Sequence, residues 1–376
     1  MTAAGNMLPL PGAASDRRVL VTGGAGFIGT NLADRLAEAG LKVAVYDNLS
    51  RAGVERNLAW LKARHGERIR TVVADIRDGE ALREAVRQAS HVFHFAAQVA
   101  VTTSLVDPLA DFAVNAQGTL NLLEAVRACP TPPPLLFTST NKVYGALEDL
   151  ALERLDSRYM PTAGRHQNGV DETRPLEFHS PYGCSKGAAD QYVLDYARSY
   201  GLPAAVFRMS CIYGPHQCGN EDQGWVAHFL IRAIEGQRIT LYGDGRQVRD
   251  ILYVEDLIDA MLLAQSRMAG IAGQAFNIGG GSRNAVSLVE LLDRIECLTG
   301  QAPRVEFGPW RTGDQRYYVS DHRAFTRATG WQPRVQVDAG VERLHAWFVE
   351  NGVAGRPAAA RRMTAASAAT PAEARS

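Results

Sequence analysis

Paired cysteines, an excess of one charge and long apolar runs are all missing from this 376-residue sequence. Its five cysteines are odd in number and form no CxxC pair, which argues against a disulfide framework and a zinc site. Basic and acidic residues total 40 each, so no positive charge excess favours nucleic-acid binding. No apolar run approaches the roughly 18 residues of a membrane span, and the N-terminus lacks the pattern of a signal peptide. We therefore expect a cytoplasmic globular protein with reduced thiols, no metal site, and neither nucleic acid nor membrane as a partner.

The order of the predicted elements indicates the fold. Residues 1–16 and 353–376 have little to bury and are predicted to be disordered. The first half between them alternates short buried runs with helical patterns, which predicts an α/β fold, a Rossmann-type doubly wound parallel sheet of about seven strands. We predict that this domain spans 17–213, with returning segments near 248–273, and that a smaller mixed α/β substrate lobe takes 214–247 and 274–352. The predicted strands of the first half are Arg18–Thr22, Lys42–Asp47, Arg70–Asp75, His91–Ala96, Leu135–Thr140 and Pro203–Arg208.

A glycine-rich turn, TGGAGFIG, connects the first predicted strand to a helix. Gly23, Gly26 and Gly29 permit a tight turn, a close approach to a pyrophosphate and close helix packing, while the helix N-terminus attracts the anion. Asp47 ends the next strand, where a carboxylate accepts hydrogen bonds from ribose hydroxyls and repels a 2′-phosphate. This predicts NAD as the cofactor, with NADP as the alternative because Arg51 lies close by. Neighbouring positions complete this candidate site: Phe27, Ile28, Asn48 and Ser50, with Asp75 and Ile76 at the end of the third strand to flank the adenine.

A candidate catalytic group follows in the sequence SPYGCSK at 180–186. A helix with Ser180 as its N-cap and Pro181 at its first position places Tyr182 and Lys186 on one face. An ammonium near a phenol lowers the phenol's pKa from its usual value of about 10, so that the tyrosine can act as a general base. Upstream, a buried strand ends in Thr138, Ser139 and Thr140, and the carboxyl ends of such strands face the ligand crevice.

Taken together, these motifs resemble the extended short-chain dehydrogenase/reductases of the nucleotide-sugar epimerase/dehydratase group, over roughly residues 17–350. Further signatures are HFAAQVA at 94–100, VNAQGTLNLLEA at 114–125, RMSCIYGP at 208–215, YGDGRQVRDILYVEDL at 242–257 and FNIGGG at 276–281. The resemblance implies tightly held NAD and a catalytic group of Thr140, Tyr182 and Lys186. It also implies a homodimer or homotetramer, with contacts through helices near 112–127 and 182–199. To the cofactor site it adds Ala96, Ala97, Gln98, Asn115 and Thr138, together with Tyr182 and Lys186.

The residues after Thr140 distinguish among the reactions of this family. Its sugar dehydratases place Thr-Asp-Glu there and its decarboxylases keep a glutamate, whereas this sequence has Asn141 and Lys142. Oxidation and return of a hydride need no additional carboxylate, which favours an epimerase. The stretch HQNGVDETRPLEFHSPYGCSKGAADQYVLDYARSYG, with STNKVYG before it and EDQGWVAHF after it, is similar to family members that epimerise CDP-activated dideoxy sugars at C2. A UDP-hexose 4-epimerase and a non-catalytic NAD-binding regulator remain as alternatives.

The resemblance also implies how the nucleotide-diphosphate sugar is held. Arg249 and Arg311 resemble the arginines that epimerases place on the diphosphate, and the less favoured alternative is a pair of surface salt bridges. Cys211 stands where many relatives carry an asparagine near the phosphates, which puts that contact in doubt. The long segment Ala146–Thr173 is expected to reach over the sugar. The full candidate substrate site is Thr140, Asn141, Gln223, Trp225, Val226, Arg249, Arg311 and Asp314.

Overall fold

The computed structural model describes Leu10 and residues 17–162, 168–220, 222–311 and 313–352. The two segments expected to be disordered therefore lie outside the described residues, except for Leu10. That side chain is buried in the main hydrophobic core, so the expectation is wrong at this position. Within the described ranges, no helix combines the length and apolarity that a bilayer crossing requires.

The strands of the chain alternate with helices in its first half and are shorter in the second. The strands are β1 Arg18–Thr22, β2 Val43–Asp47, β3 Ile69–Val73, β4 Ala89–His94, β5 Leu135–Thr140, β6 Leu152–Arg154, β7 Tyr159–Pro161, β8 Ala204–Met209, β9 Cys211–Tyr213, β10 Ile239–Tyr242, β11 Val248–Tyr253, β12 Ala275–Ile278, β13 Ala285–Ser287, β14 Val305–Gly308 and β15 Tyr317–Tyr318. The helices are α1 Phe27–Glu38, α2 Val54–His65, α3 Gly79–Arg87, α4 Val101–Val106, α5 Pro108–Phe112, α6 Gly118–Arg127, α7 Ser180–Tyr200, α8 Trp225–Ile234, α9 Val254–Ser266, α10 Met268–Ile271, α11 Leu288–Thr299, α12 Arg323–Thr329 and α13 Val337–Glu350.

Seven strands form one parallel sheet in the order β12-β8-β5-β4-β1-β2-β3. Helices cover both faces, so its strands are apolar on both sides. In β1, Val19 and Val21 point into one hydrophobic cluster while Leu20 points into another on the opposite face. The predicted Rossmann-type α/β fold is confirmed, and the carboxyl ends of the parallel strands meet at one edge.

The smaller lobe contains short strands around β11. This strand pairs in parallel with β9 and β15 and antiparallel with β13, while β10 pairs with β14. Two predicted boundaries therefore change. Residues 248–253, predicted to return to the Rossmann domain, join the sheet of the smaller lobe, and 275–278, predicted in that lobe, form an edge strand of the main sheet. Strand pairing is decided by distant partners, which the local pattern does not contain.

Three local features differ from the sequence prediction. The third strand ends at Val73, so Asp75 and Ile76 follow it instead of ending it. The helix predicted over 112–127 is divided into α5, a π-helical turn at Ala113–Gln117 and α6. The long segment 146–173 contains the β6–β7 hairpin, and the Tyr159 hydroxyl donates to the Asp244 carboxylate of the smaller lobe at 2.8 Å.

Candidate functional site

A cleft of about 870 Å³ lies where the glycine turn after β1, the end of β5 and the start of α7 meet the smaller lobe. It brings together Gly23, Thr140, Tyr182 and Arg249, which come from distant parts of the chain. The predicted site residues that line it are Gly23, Gly26, Phe27, Ile28, Gly29, Arg51, Thr140, Asn141, Tyr182, Gln223, Trp225, Val226, Arg249, Arg311 and Asp314. The other predicted residues do not line it: Asp47, Asn48, Ser50, Asp75, Ile76, Ala96, Ala97, Gln98, Asn115, Thr138 and Lys186.

The glycine turn has the geometry of a dinucleotide cradle. Gly23 has a φ of +67°, and a Cβ added at Gly29 would lie 2.4 Å from the Gly23 carbonyl oxygen. Both positions therefore require glycine. Among the described residues no side chain caps the start of α1, and its first turn holds no acidic residue. The N-terminus of α1 can therefore receive a diphosphate, so this turn fits NAD.

Asp47 braces the turn from the next strand. Its carboxylate accepts hydrogen bonds from the backbone N–H groups of Ala25 at 3.1 Å and Leu49 at 2.9 Å. Burial raises the pKa of Asp47, and these two hydrogen bonds oppose that shift. The carboxylate therefore stabilises the glycine turn, a structural role that the sequence pattern did not reveal. It also lies at the end of β2, where the ribose site is predicted.

The predicted adenosine end is organised around Asp75. Its carboxylate accepts from Asn48 at 2.9 Å and pairs with the Arg77 guanidinium at 2.8 Å, which holds the pKa of Asp75 well below its usual range. Nearby, the Arg51 guanidinium donates to the side-chain oxygen of Gln223. A predicted cofactor residue thus contacts a predicted substrate residue across the cleft.

Tyr182 and Thr140 form the candidate catalytic pair. Their side chains are hydrogen-bonded, and burial nevertheless raises the pKa of Tyr182 to about 12. The sequence predicted that Lys186 lowers the pKa of Tyr182. In the chain without its cofactor this prediction is wrong, because burial outweighs the other contributions. The Lys186 ammonium donates instead to the Thr138 carbonyl at 2.7 Å and lies 4.2 Å from the centre of the Phe137 ring. Burial also lowers the pKa of Lys186 to about 7.

The start of α7 holds this pair in place. The helix begins at Ser180, one residue before the predicted start at Pro181, and the Ser180 hydroxyl accepts from the Gly183 N–H at 3.3 Å. Ser180 has a φ of +67°, a left-handed conformation that is unfavourable for a residue with a side chain. Strain of this kind occurs at functional sites, where surrounding contacts maintain it.

A buried polar network behind the catalytic helix includes residues that sequence reasoning missed. The Asp111 carboxylate accepts from the Ser185 hydroxyl and, at 2.7 Å, from the side chain of Gln98. The Asn115 amide donates to Ser185 at 3.1 Å and to the Gln98 carbonyl at 2.9 Å. Asn115 and Gln98, predicted to bind cofactor, thus tie the loop after β4 to α7. No local motif marks Asp111, because its partners are distant in sequence.

The substrate end of the cleft carries paired charges. Arg249 donates to the Asp314 carboxylate at 2.6 Å, and the Lys142 ammonium lies 3.8 Å from the same oxygen. Burial opposes the shift, but these two cations hold the pKa of Asp314 below its usual value. The Arg311 guanidinium lies 3.7 Å from the centre of the Tyr242 ring and 3.4 Å from the Asp222 carboxylate. The predicted diphosphate arginines are therefore together in the cleft, each beside an acid.

Two further side chains complete the geometry beside Thr140. The Asn141 amide donates to the side-chain oxygen of Gln315 at 3.0 Å, and Gln315 donates to the Gly145 carbonyl at 2.6 Å. Gln315 is fully buried and was missed by sequence reasoning, since no motif marks it. Cys211 lines the cleft and is hydrogen-bonded to Trp225, and burial raises the pKa of its thiol. A thiol of this kind is a packing residue.

Comparisons with known proteins agree with this geometry. A family model described as the NAD dependent epimerase/dehydratase family matches residues 19–279. The chain is 43% identical over 337 residues to the CDP-paratose 2-epimerase of Salmonella typhi, covering 88% of this chain and 98% of that protein. The UDP-glucose 4-epimerase of Thermus thermophilus, solved in complex with NAD, is 35% identical with a TM-score of 0.75, covering 88% of this chain and 99% of that one. The UDP-glucose 4-epimerase of Thermotoga maritima, solved with UDP-glucose, is 31% identical with a TM-score of 0.75, and the match covers 89% and 99% of the two chains.

Proposed function

The chain belongs to the NAD-dependent epimerase/dehydratase family, and we propose that it is an isomerase that converts CDP-paratose to CDP-tyvelose by inversion at C2. NAD is its cofactor. The Salmonella typhi relative, whose name gives the same substrate and carbon, supports this assignment. The reaction is epimerisation of a nucleotide-diphosphate sugar by transient oxidation to a keto sugar.

The carboxylates that line the cleft distinguish epimerisation from dehydration. Among the described residues that line it, the only carboxylates are Asp222 and Asp314, and each lies beside an arginine. Elimination of water requires an acid and a base in addition to the tyrosine. The positions after Thr140 hold Asn141, which is hydrogen-bonded to Gln315, and Lys142. The site therefore favours epimerisation over dehydration.

The chain's own groups have separate tasks in this reaction. Tyr182 takes the proton from the C2 hydroxyl, and Thr140 donates a hydrogen bond to the reacting oxygen and offsets the charge that develops there. NAD, when bound, would supply a reversible hydride acceptor and a positive charge. Arg249 and Arg311 hold the diphosphate while the keto sugar turns within the cleft, so that its other face is presented. Lys186 ties α7 to β5 and binds the cofactor ribose.

Residues at both ends of the cleft complete the assignment. For NAD we propose Gly23, Gly26 and Gly29 at the diphosphate and Asp47 at the ribose. For the cytosine base we propose contacts from Gln223, Trp225 and Val226, which lie at or just before the start of α8.

UDP-hexose 4-epimerisation is the alternative, supported by the likeness to two UDP-glucose 4-epimerases. A non-catalytic regulator would have no use for the Tyr182–Thr140 pair.

We also propose a homodimer in the cytoplasm. Large apolar side chains are exposed on α4 and α5, with Leu109 81% exposed and Phe112 55% exposed. Helix α7 also carries two exposed aromatic side chains, Tyr192 and Tyr200. Exposed apolar patches of this kind are typical of interfaces between subunits. The NAD-binding domain that we propose covers 17–210 together with α9 and β12, and strands β9, β10, β11, β13, β14 and β15 belong to the substrate lobe.

Parallel turnover assays test the proposed function. Purified protein is given CDP-paratose or UDP-glucose, and the products are identified by NMR while bound and released NAD are followed. We expect CDP-tyvelose with NAD retained on the protein. Conversion of UDP-glucose to UDP-galactose with no reaction of CDP-paratose would establish the alternative, and NAD binding without either product would establish a regulator.

A further inference from the structure

Lys142 is a cation of the cleft to which the reaction scheme above gives no task. It lies two residues after Thr140, and its backbone N–H donates to the Thr140 hydroxyl at 3.2 Å. Only four of the chain's 40 basic residues are lysines, namely Lys42, Lys62, Lys142 and Lys186. A lysine presents a compact ammonium on a flexible stem at this position, where an arginine would present a planar fork.

The contacts of the ammonium leave room for a ligand. Its Nζ donates to the Gly313 carbonyl at 3.1 Å and lies 3.8 Å from an Asp314 oxygen. An ammonium has three N–H donors. Among the described residues these two acceptors occupy at most two of them, and the side chain is 24% exposed on the wall of the cleft. One donor therefore remains for a group that enters the cleft.

The charge around Lys142 suits an anion. At the substrate end, the three cations Lys142, Arg249 and Arg311 face the two carboxylates of Asp222 and Asp314, so this end has one surplus positive charge, and Arg51 adds another to the described lining. The diphosphate of a sugar nucleotide carries two negative charges. An ammonium that is partly withdrawn from water binds a phosphate oxygen through a charge-assisted hydrogen bond.

The chemistry of the sugar determines which part of the diphosphate comes near. The diphosphate is attached to C1, and C2 is bonded directly to C1. When C2 reacts at Thr140 and Tyr182, the sugar-linked phosphate must therefore lie beside them. When C4 reacts, the opposite side of the ring faces these residues and the phosphates lie farther away.

We propose that Lys142 binds the sugar-linked phosphate of the substrate and thereby places C2, instead of C4, against Thr140 and Tyr182. This inference rests on the proposed C2 epimerisation and deepens it, because it assigns the residue that selects the carbon. Asp314 holds the ammonium in position by pairing with both Lys142 and Arg249.

Binding of CDP and CMP separates this role from a structural one. CMP lacks the phosphate that the sugar carries, while CDP has it. Calorimetric titration of the NAD-bound enzyme should show that Lys142→Met weakens CDP binding on the order of 10- to 100-fold and leaves CMP binding within about 2-fold. Lys142→Arg should recover part of the CDP affinity. Lys62→Met, on the exposed face of α2, should change neither value.

Equal losses for CDP and CMP would show that Lys142 only supports the loop at Gly313, and an unchanged CDP affinity would also overturn the assignment. Turnover of CDP-paratose by the wild-type enzyme is measured in parallel. If that turnover is present while Lys142→Met binds CDP normally, only the Lys142 inference fails. If it is absent, the proposed function itself fails.

A footprint of the unmodified enzyme avoids any dependence on a variant. An amine-acetylating reagent is applied to the NAD-bound protein, and acetylation at Lys142 and Lys62 is followed by mass spectrometry. We expect CDP to slow acetylation of Lys142 several-fold, CMP to leave it unchanged, and Lys62 to respond to neither. Lack of protection by CDP would contradict the proposal.

Discussion

The ammonium of Lys186 donates to the main-chain carbonyl of Thr138 at 2.7 Å, which ties helix α7 to the end of strand β5. The candidate base Tyr182 lies on that helix and Thr140 ends that strand. The lysine therefore fixes the distance between the two groups that we propose act on the sugar. Its ammonium is buried, and burial lowers its pKa to about 7.

This burial predicts a pH-dependent stability. The unfolded chain has a lysine pKa of about 10.4, so between pH 7 and 10 the unfolded state binds more protons at this position than the folded state. The free energy of unfolding of NAD-free wild type should therefore rise with pH relative to Lys186→Met, by at most about 1.4 kcal/mol per pH unit. Urea unfolding of both proteins at several pH values measures the difference. A difference that is constant from pH 7 to 10 would refute the low pKa.

Tyr182→Phe tests the general base. We expect kcat to fall roughly 10²- to 10⁴-fold, because the phenol hydroxyl that moves the proton is lost. Binding of CDP should stay close to that of wild type, since the phosphate contacts that we propose come from Lys142, Arg249 and Arg311 and not from the phenol. Tyr192→Phe, on the same helix but not among the described residues that line the cleft, is the matched control and should keep full activity. Normal kcat in the Tyr182 variant would exclude this residue as the base.

Asp47 should control the choice between NAD and NADP. Asp47→Asn removes the negative charge but keeps a side chain that can accept from Ala25, so the glycine turn is preserved. We expect NAD binding to weaken on the order of 10-fold and the preference for NAD over NADP to narrow, because the repulsion of a 2′-phosphate is lost. Titration of the NAD-free protein with both dinucleotides measures this. Asp293→Asn, on the surface of α11, is the control variant. If the two variants have the same affinities for NAD and for NADP, Asp47 does not belong to the cofactor site.

A buried ion pair beneath the site should dominate the stability of α7. The Asp190 carboxylate accepts from the Arg208 guanidinium of β8 at 2.9 Å, and both side chains are at most 5% exposed. Asp190→Asn leaves a buried cation without its partner, which costs about 3–5 kcal/mol of the free energy of unfolding. Asp195→Asn breaks an exposed pair with Arg198 on the same helix and should cost less than about 1 kcal/mol. Similar losses in the two variants by urea unfolding would contradict the argument.

The parts of the molecule that local sequence determines were predictable. The GxxGxxG turn, the ends of β1 and β5 and the start of α7 each depend on residues that are neighbours in the chain. The network of Asp111 with Ser185, and the contact of Gln315 with Asn141, join segments that only the folded sheet brings together. The membership of β12 in the main sheet is likewise set by its pairing with the distant strand β8, and no local signal in the sequence indicates that partner.

The prediction of a low pKa for Tyr182 is wrong for a related reason. A spacing of four residues places Tyr182 and Lys186 on one helix face, but it does not say which acceptor the ammonium takes. In the folded chain that acceptor is the Thr138 carbonyl, and burial then determines the pKa of both side chains.

The fate of the hydrogen on C2 tests the central claim most directly. CDP-paratose deuterated at C2 is converted in ordinary water, and the CDP-tyvelose formed is examined by NMR and mass spectrometry. The account predicts that the product keeps the deuterium at C2, because the hydrogen leaves and returns within the closed site without exchange with solvent. Replacement of that deuterium by solvent hydrogen would show that the carbon is deprotonated directly, and would contradict the roles given to Tyr182, Thr140 and NAD.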